Sequence, residues 1–165
     1  MNGSFRGAAL TTILLLISGI AIGAFLIWFF YCPCERTSGG YLLGTSPAEP
    51  VADWSFANDR ETVPLCQIQV DAGALPHSIN LNCMASDGEL FLSCSNCDGK
   101  RWSSAVLKNS EARLRADGVV YPVIVTRVTD PAVLDRIWIA RAAKLDRPTD
   151  TPRQDGWWSF QVVSR

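Results

Sequence analysis

An uninterrupted apolar stretch dominates the amino-terminal part of the hydrophobic pattern. Residues 8–31 contain no charged side chain, and at a rise of about 1.5 Å per residue this length crosses a hydrocarbon core of about 30 Å. The stretch ends in the aromatic run Trp-Phe-Phe-Tyr at 28–31, which suits a membrane interface and does not suit a signal-peptide cleavage site. The pattern predicts a short tail over residues 1–7 and one transmembrane helix over residues 8–31.

Proline and glycine interrupt the chain directly after this stretch. Residues 32–53 hold three prolines and three glycines with little hydrophobic periodicity, which is typical of a tether. We therefore predict a flexible linker over residues 32–53 and a folded domain over residues 54–165.

The folded domain begins with alternating apolar and polar residues, the pattern of half-buried strands. Such alternation covers Leu65–Val70, Ser78–Ala85 and Glu89–Ser95. The tripeptide Ser86–Gly88 lies between the last two segments and is a strong hairpin turn signal. An antiparallel meander of three strands is predicted.

Helical and strand periodicities alternate in the second half of the domain. We predict a short helix over Lys100–Asn109, a hairpin of Ala112–Ala116 and Val119–Val128, a helix from Pro131 to about Leu145, and a closing strand over Trp157–Val163. Asp130 before Pro131 is a helix-start signal. Antiparallel strands with segregated helices favour the α+β class and a small β-barrel.

Composition and charge narrow the function classes. The chain has 165 residues, of which 48% are hydrophobic and 19% are charged, so it fits one modest domain beside the membrane segment. Fifteen basic side chains stand against 16 acidic ones, for a net charge of −1, which disfavours a nucleic-acid partner. Arg6 and the α-amino group precede the apolar stretch, whereas Glu35 and Arg36 nearly cancel after it. The charges favour a cell-membrane protein whose domain lies outside the cytoplasm.

Six cysteines leave several chemistries open. They are Cys32, Cys34, Cys66, Cys83, Cys94 and Cys97. Cys94-x-x-Cys97 can form a redox pair, half of a zinc site or a structural pair, but a second such motif or a histidine pair is missing, so no metal site is predicted. Cys66 and Cys83 lie in apolar runs typical of small buried hydrophobes. Cys32-Pro-Cys34 suits acylation, pairing between chains or a plain turn.

Three segments resemble the split-barrel flavin-binding superfamily, which includes pyridoxamine-phosphate-oxidase-like proteins and deazaflavin-dependent reductases. The segments are Leu-Pro-His-Ser-Ile-Asn-Leu at 75–81, the stretch from Glu89 to Trp102, and Leu-Lys-Asn-Ser-Glu-Ala-Arg-Leu-Arg at 107–115. With the element order, the resemblance covers about residues 61–163. It implies a small antiparallel split β-barrel with two short helices, preceded here by one transmembrane helix.

The resemblance also implies cofactor contacts. They fall on Ser78, Asn80, Ser95, Asn96, Lys100 and Arg101. Ser95 stands where the family has a hydroxyl on the flavin phosphate, Lys100 and Arg101 stand at its basic pair, and Ser78 and Asn80 share one face of the second strand. A solvated helix start is the alternative for the basic pair. Gly99 departs from the family's serine and His77 from its frequent arginine.

Two classes of function follow from the resemblance. The first is a membrane-anchored oxidoreductase that holds FMN or a deazaflavin at the interface of a homodimer. The alternative is a non-catalytic split-barrel binding module or accessory subunit of a membrane complex, with a membrane protein as partner. A cysteine-based redox or zinc protein is the third hypothesis. No catalytic residue is assigned, since the sequence has no conventional catalytic constellation.

Overall fold

In a computed structural model of the chain, a long apolar helix precedes a closed barrel. The structure describes the backbone of residues 3–165 and the side chains of residues 10–165, so part of the predicted tail at residues 1–7 lies outside the described residues. The helices are α1 (Gly3–Tyr31), α2 (Arg101–Lys108) and α3 (Pro131–Lys144). The strands are β1 (Cys66–Asp71), β2 (Pro76–Ser86), β3 (Glu89–Ser95), β4 (Glu111–Ala116), β5 (Val119–Val128) and β6 (Trp157–Ser164).

The helix α1 is long and apolar enough to cross a membrane. Its segment Leu10–Tyr31 has 22 residues and a mean hydropathy of 2.6, and none of its most apolar window is buried against the rest of the chain. By length and composition, this helix matches the predicted transmembrane segment.

Six antiparallel strands close into a barrel in the order β1-β2-β3-β6-β5-β4, with β4 paired to β1. This arrangement confirms the predicted α+β class and the predicted antiparallel barrel. Two of its hairpins turn at Asp-Gly pairs whose residues all have positive φ, 53° and 79° at Asp87–Gly88 and 48° and 73° at Asp117–Gly118. Turns of this kind match the twist of the flanking strands.

Alternate residues of every strand fill the barrel. Leu90 and Leu92 of β3 face Phe160 and Val162 of β6 in one continuous core. Helix α2 adds Trp102 to the same core, where its ring lies 4.9 Å from that of Phe160. The barrel is thus a packed core rather than a channel.

A disulfide joins β1 and β2 inside this core. Cys66 and Cys83 are bonded with their Cα atoms 5.6 Å apart, and neither residue is more than 1% exposed. Their apolar surroundings were predicted from the sequence, whereas their bond was not, because register between two strands decides which cysteines meet.

Helix α3 covers the outside of the barrel. The carboxylate of Asp130 accepts hydrogen bonds from the backbone N–H groups of Ala132 and Val133, so the predicted helix start is confirmed. One face of the helix packs inward, since Ile137 and Trp138 form a second cluster with strand residues. The other members are Met84, Phe91 and Trp157.

The end of α3 is tied to the barrel by a buried ammonium group. The Nζ atom of Lys144 donates to the carbonyl oxygens of Ala57, Val63 and Cys83 at 2.6, 2.8 and 2.8 Å. Burial lowers the pKa of Lys144 to about 8, so at pH 7 the group is still mostly protonated and has three N–H donors. Each donor has a carbonyl partner.

Residues 33–45, here named the strap, run across the outside of the barrel. They belong to the segment predicted as a linker. The barrel holds their main chain at several points along four strands. Gly39 exchanges two backbone hydrogen bonds with Ser78 of β2, and Thr45 accepts one from Val120 of β5. Side chains of β1 and β4 reach Leu42, whose N–H donates to Gln69 and whose carbonyl accepts from Arg113.

The strap also returns to the end of α1. The indole N–H of Trp28 donates to the carbonyl of Ser38 at 2.7 Å, and the carbonyl of Phe29 accepts from the N–H groups of Gly40 and Tyr41. The aromatic end of α1 is therefore held against the barrel at the level of Ser78.

Candidate cofactor-binding site

The loop between β3 and α2 brings three of the predicted residues together. The Nζ atom of Lys100 donates to the carbonyl oxygen of Ser95 at 2.8 Å. Asn96 has φ of 50°, and its N–H donates to the carbonyl of Gly156 at 3.0 Å. Gly99 has φ of 70°, a left-handed conformation that serine rarely adopts. The departure from the family's serine at this position therefore has a conformational reason.

A disulfide between Cys94 and Cys97 spans the first part of this loop. Both residues are buried. Of the alternatives that the sequence leaves open for this pair, the structure has a bond between the two sulfurs, which fixes the loop against β3.

Arg101, the first residue of α2, reaches across to the turn after β1. Its Nε and Nη2 atoms donate to the carbonyl oxygen of Ala72 at 3.3 and 3.0 Å. These two bonds orient the guanidinium, and three of its five N–H groups remain for another acceptor. Lys100 and Arg101 are both exposed, so their alternative interpretation as a solvated helix start stays open.

Ser78 and Asn80 lie on the outer face of β2, beneath the strap. Ser78 is fully buried, and its Oγ atom has no hydrogen-bond partner among the described residues. The side-chain amide of Asn80 donates to the carbonyl of Glu35 at 2.9 Å. The strap thus already contacts the two strand residues that the resemblance assigns to the cofactor.

A cleft of about 440 Å³, here named the β2–α2 cleft, opens between β2, α2 and the strap. This volume is within the range of small-molecule sites. The cleft is lined by Glu35, Arg36, His77, Ile79, Asn80, Leu81, Lys100, Arg101 and Trp102. It brings together three of the six predicted residues, Asn80, Lys100 and Arg101, and does not include Ser78, Ser95 and Asn96.

Positive charge predominates in the β2–α2 cleft. Arg36, Lys100 and Arg101 are opposed by one carboxylate, that of Glu35. Burial, and then the Arg101 guanidinium, lower the pKa of His77 below its usual value of 6.5, so the imidazole is neutral at pH 7. The balance suits a phosphate, which takes charge-assisted hydrogen bonds from lysine and arginine.

Other residues that line the β2–α2 cleft are apolar. Ile79, Leu81 and Trp102 lie in the wall, where Ile79 is half-buried and the other two are buried. The lining therefore fits a compound that carries both an apolar ring system and a phosphate, as a flavin nucleotide does.

Two charged residues of the cleft, Glu35 and Arg36, were not predicted. They lie in the strap, and nothing in the local sequence distinguishes them from solvated linker residues. Trp157 and Trp158 of β6 are not among the residues that line the cleft. Trp157 packs against Trp138 with ring centres 5.1 Å apart, and Trp158 stacks under Arg127 at 3.5 Å. Their role in packing agrees with the usual behaviour of large aromatics.

A second cleft of about 460 Å³ lies between α2 and the turn after β1. Arg101 lines it as well, together with Asp71, Ser104 and Lys108. Among the six predicted residues Arg101 alone takes part in this cleft, so the β2–α2 cleft is the better candidate.

Comparison with solved structures identifies the fold. A candidate pyridoxamine 5'-phosphate oxidase from Listeria innocua aligns over 61% of this chain and 83% of its own, with 12% identity and a TM-score of 0.51. A conserved hypothetical protein from Mycobacterium tuberculosis aligns over 73% and 86%, with 14% identity and a TM-score of 0.52. No protein-family model matches the chain, and a search of curated proteins gives no match.

These likenesses are at the level of the fold. The chain shares the β-barrel fold of these two solved structures, and a long apolar helix precedes the barrel. The fold that the sequence resemblance implied is therefore confirmed. Function has to be argued from the site, because one fold hosts many activities.

Proposed function

We propose that this chain is a membrane-anchored oxidoreductase that binds a flavin-type cofactor in the β2–α2 cleft. The observation that carries the proposal is the combination, on this fold, of a basic rim and an apolar wall in one cleft. The name of the Listeria innocua structure, an oxidase, supports the reaction class by analogy of fold. Either FMN or a deazaflavin satisfies these features.

The chain's own residues divide the work of binding. Lys100 and Arg101 hold the phosphate, and Arg36 adds a third positive charge. The half-buried Ile79 packs against the ring system, and Asn80 offers an amide at its edge. When bound, the flavin supplies hydride and electron transfer. The chain would orient the flavin and exclude water from the apolar side of the ring system. An oxidoreductase of this kind does not need a nucleophile or an acid pair of its own.

We further infer that α1 spans the cell membrane in single-pass fashion and that the barrel lies outside the cytoplasm. Three features support this arrangement. The length and hydropathy of α1 suit a bilayer. The charges flanking it favour an internal amino terminus. All six cysteines are paired, and disulfides persist in oxidising compartments.

The partners follow from the same proposal. The bilayer is the first, and a second copy of the chain is the second, since the sequence resemblance implies a homodimer with the cofactor at its interface. Nucleic acid is not proposed. Sedimentation of the detergent-solubilised protein gives the oligomeric state, and a purely monomeric, fully loaded protein would contradict the dimer.

A visible absorption spectrum tests the central proposal. The full-length protein, purified in detergent, is expected to show a flavin band or to acquire one on titration with FMN or with a deazaflavin. Denaturation should release the cofactor, and the absorbance of the released cofactor gives its molar ratio to the protein. A colourless protein that binds neither compound would exclude the cofactor function.

One observation favours the alternative, an accessory module without cofactor. Lys100 and Arg101 already donate to backbone carbonyls, and Asn80 already holds the strap. In that case the protein stays colourless, and a membrane protein is recovered with it after cross-linking in intact membranes.

A further inference from the structure

The three disulfides differ sharply in accessibility. Cys66, Cys83 and Cys97 are at most 1% exposed, and Cys94 is 9% exposed. In the Cys32–Cys34 pair, by contrast, Cys34 is exposed and Cys32 is half-buried. A thiol from outside can therefore reach one disulfide of the folded chain, that of Cys32 and Cys34.

This accessible disulfide adds little to the fold. Cys32 and Cys34 are two residues apart, whereas the bond between Cys66 and Cys83 spans 17 residues. A cross-link stabilises mainly by restricting the unfolded chain, and this effect increases with the length of the loop that it closes. A structural role thus explains the Cys66–Cys83 bond far better than the Cys32–Cys34 bond.

The backbone on both sides of Cys34 is nevertheless firmly held. Gln67 of β1 donates to the carbonyl of Pro33 at 3.1 Å, and Asn80 of β2 donates to that of Glu35 at 2.9 Å. Cys34 itself exchanges two backbone hydrogen bonds with Thr37. The barrel therefore presents an exposed cysteine on a fixed turn, beside the end of α1 and the rim of the β2–α2 cleft.

We propose that Cys32 and Cys34 form a thiol–disulfide exchange site whose substrate is an accessible dithiol. A substrate thiolate attacks the Sγ atom of Cys34. The Cys32–Cys34 bond breaks, and its electron pair leaves on Cys32, which takes up a proton. The second substrate thiolate then attacks the first substrate sulfur and releases Cys34, which is protonated in turn. The substrate loses two electrons and two protons, and the cysteine pair gains them.

Selective reduction of the full-length protein in detergent tests this proposal. The probe is reduced glutathione, two molecules of which stand in for the dithiol, followed by alkylation and peptide mass spectrometry. We expect alkylation at Cys32 and Cys34 at least about tenfold faster than at the other four cysteines, because exposed disulfides are the labile ones. Equal rates at all three pairs, or an unreduced Cys32–Cys34 bond in the folded protein, would overturn the proposal.

Single substitutions identify the attacked sulfur. Cys32→Ser leaves Cys34 free to be trapped as a stable mixed disulfide with oxidised glutathione, whereas Cys34→Ser leaves the half-buried Cys32 and is expected to trap at least about tenfold less. Both variants keep the two buried disulfides, and circular dichroism checks their fold. Equal trapping in the two variants would contradict attack at Cys34. Flavin binding does not enter either measurement, so failure of the cofactor proposal would leave this one standing.

Discussion

At the scale of single residues, the β2–α2 cleft depends on a small number of cations. Lys100 and Arg101 begin α2, and their backbone partners, Ser95 and Ala72, hold them at the rim. Each retains N–H groups beyond those already bonded. The contribution of these two residues to phosphate binding can therefore be measured separately from any effect on the fold.

We expect the double substitution Lys100→Ala, Arg101→Ala to weaken FMN binding by about a hundredfold, because it removes charge-assisted bonds to the phosphate. Fluorescence titration in detergent measures the affinity. Lys108→Ala is the matched control, since this lysine lies on the same helix and does not line the cleft. Unchanged affinity in the double variant, with a native circular dichroism spectrum, would refute the assignment of these residues.

Protonation of His77 is expected to make the stability of the folded chain depend on pH. Its pKa is lower in the folded chain than the usual 6.5 because of burial and Arg101, so below that pH the unfolded chain binds more protons than the folded one. Stability is expected to fall as the pH drops through 6.5, with a slope of at most about 1.4 kcal/mol per pH unit from this group. Urea unfolding at several pH values measures the slope. His77→Gln should be flatter, and identical slopes would contradict this account.

The sequence predicts the site's residues unevenly. Asn80, Lys100 and Arg101 could be placed near one another because they belong to motifs with fixed spacing within one or two elements, whereas their contact with a cofactor stays a prediction. Glu35 and Arg36 reach the cleft through a strap whose path depends on contacts with β2, far away in the sequence. No local pattern encodes such contacts.

At the scale of elements, the strands and helices were the predictable part. The boundaries of β3 and β5 coincide with those predicted, because both strands are delimited by Asp-Gly turns and sharp changes of periodicity. The docking of α3 on the barrel rests on a different feature, the three carbonyl bonds of Lys144. In the sequence, Lys144 is indistinguishable from an ordinary basic residue near the end of a helix.

Lys144→Met is expected to destabilise the protein by about 2–4 kcal/mol, because it leaves three buried carbonyls without donors. Thermal or urea unfolding measures the loss. Lys108→Met, an exposed lysine at the end of α2, is the control and should change stability by less than about 0.5 kcal/mol. Similar effects of the two substitutions would mean that the buried ammonium contributes nothing particular.

The attachment of the strap is tested at Gly39. A Cβ atom at this position would overlap the carbonyl of Cys32, so Gly39→Val is expected to release the strap while the barrel stays folded. Backbone amide exchange should then increase by roughly tenfold or more at Leu42 and Ser78. Ser46→Val, a substitution at an exposed site just beyond the strap, should leave exchange unchanged. Whether the segment behaves as a flexible linker in solution is decided by the same data.

At the scale of the whole molecule, the bonds between α1 and the strap fix the orientation of the barrel relative to the helix. Trp28 and Phe29 hold Ser38, Gly40 and Tyr41, and the strap in turn holds β2. In the proposed membrane-anchored arrangement, a cleft held in this way would lie at a constant depth beside the bilayer. Such a position would favour substrates that are concentrated at the membrane surface.

The proposed topology predicts a simple protection pattern. A protease added to intact cells should remove an epitope tag from the carboxyl terminus and leave a tag at the amino terminus intact, because the apolar segment separates the two. Permeabilised cells, in which both tags are cleaved, serve as the control. The reverse pattern would place the barrel in the cytoplasm.

The hydrogen bonds between the barrel and the strap also determine how well the strap tolerates amino-acid substitutions. Apart from the Tyr41 ring beneath Arg113, the partners of the barrel are carbonyl groups of the strap, which every residue type provides, and N–H groups, which only proline lacks. Side chains at most strap positions can therefore be replaced without loss of the hydrogen bonds that hold the strap to the barrel. Saturation mutagenesis should find the strap permissive, with intolerance confined to Pro33, Gly39, Gly40 and Leu42, the positions that are buried.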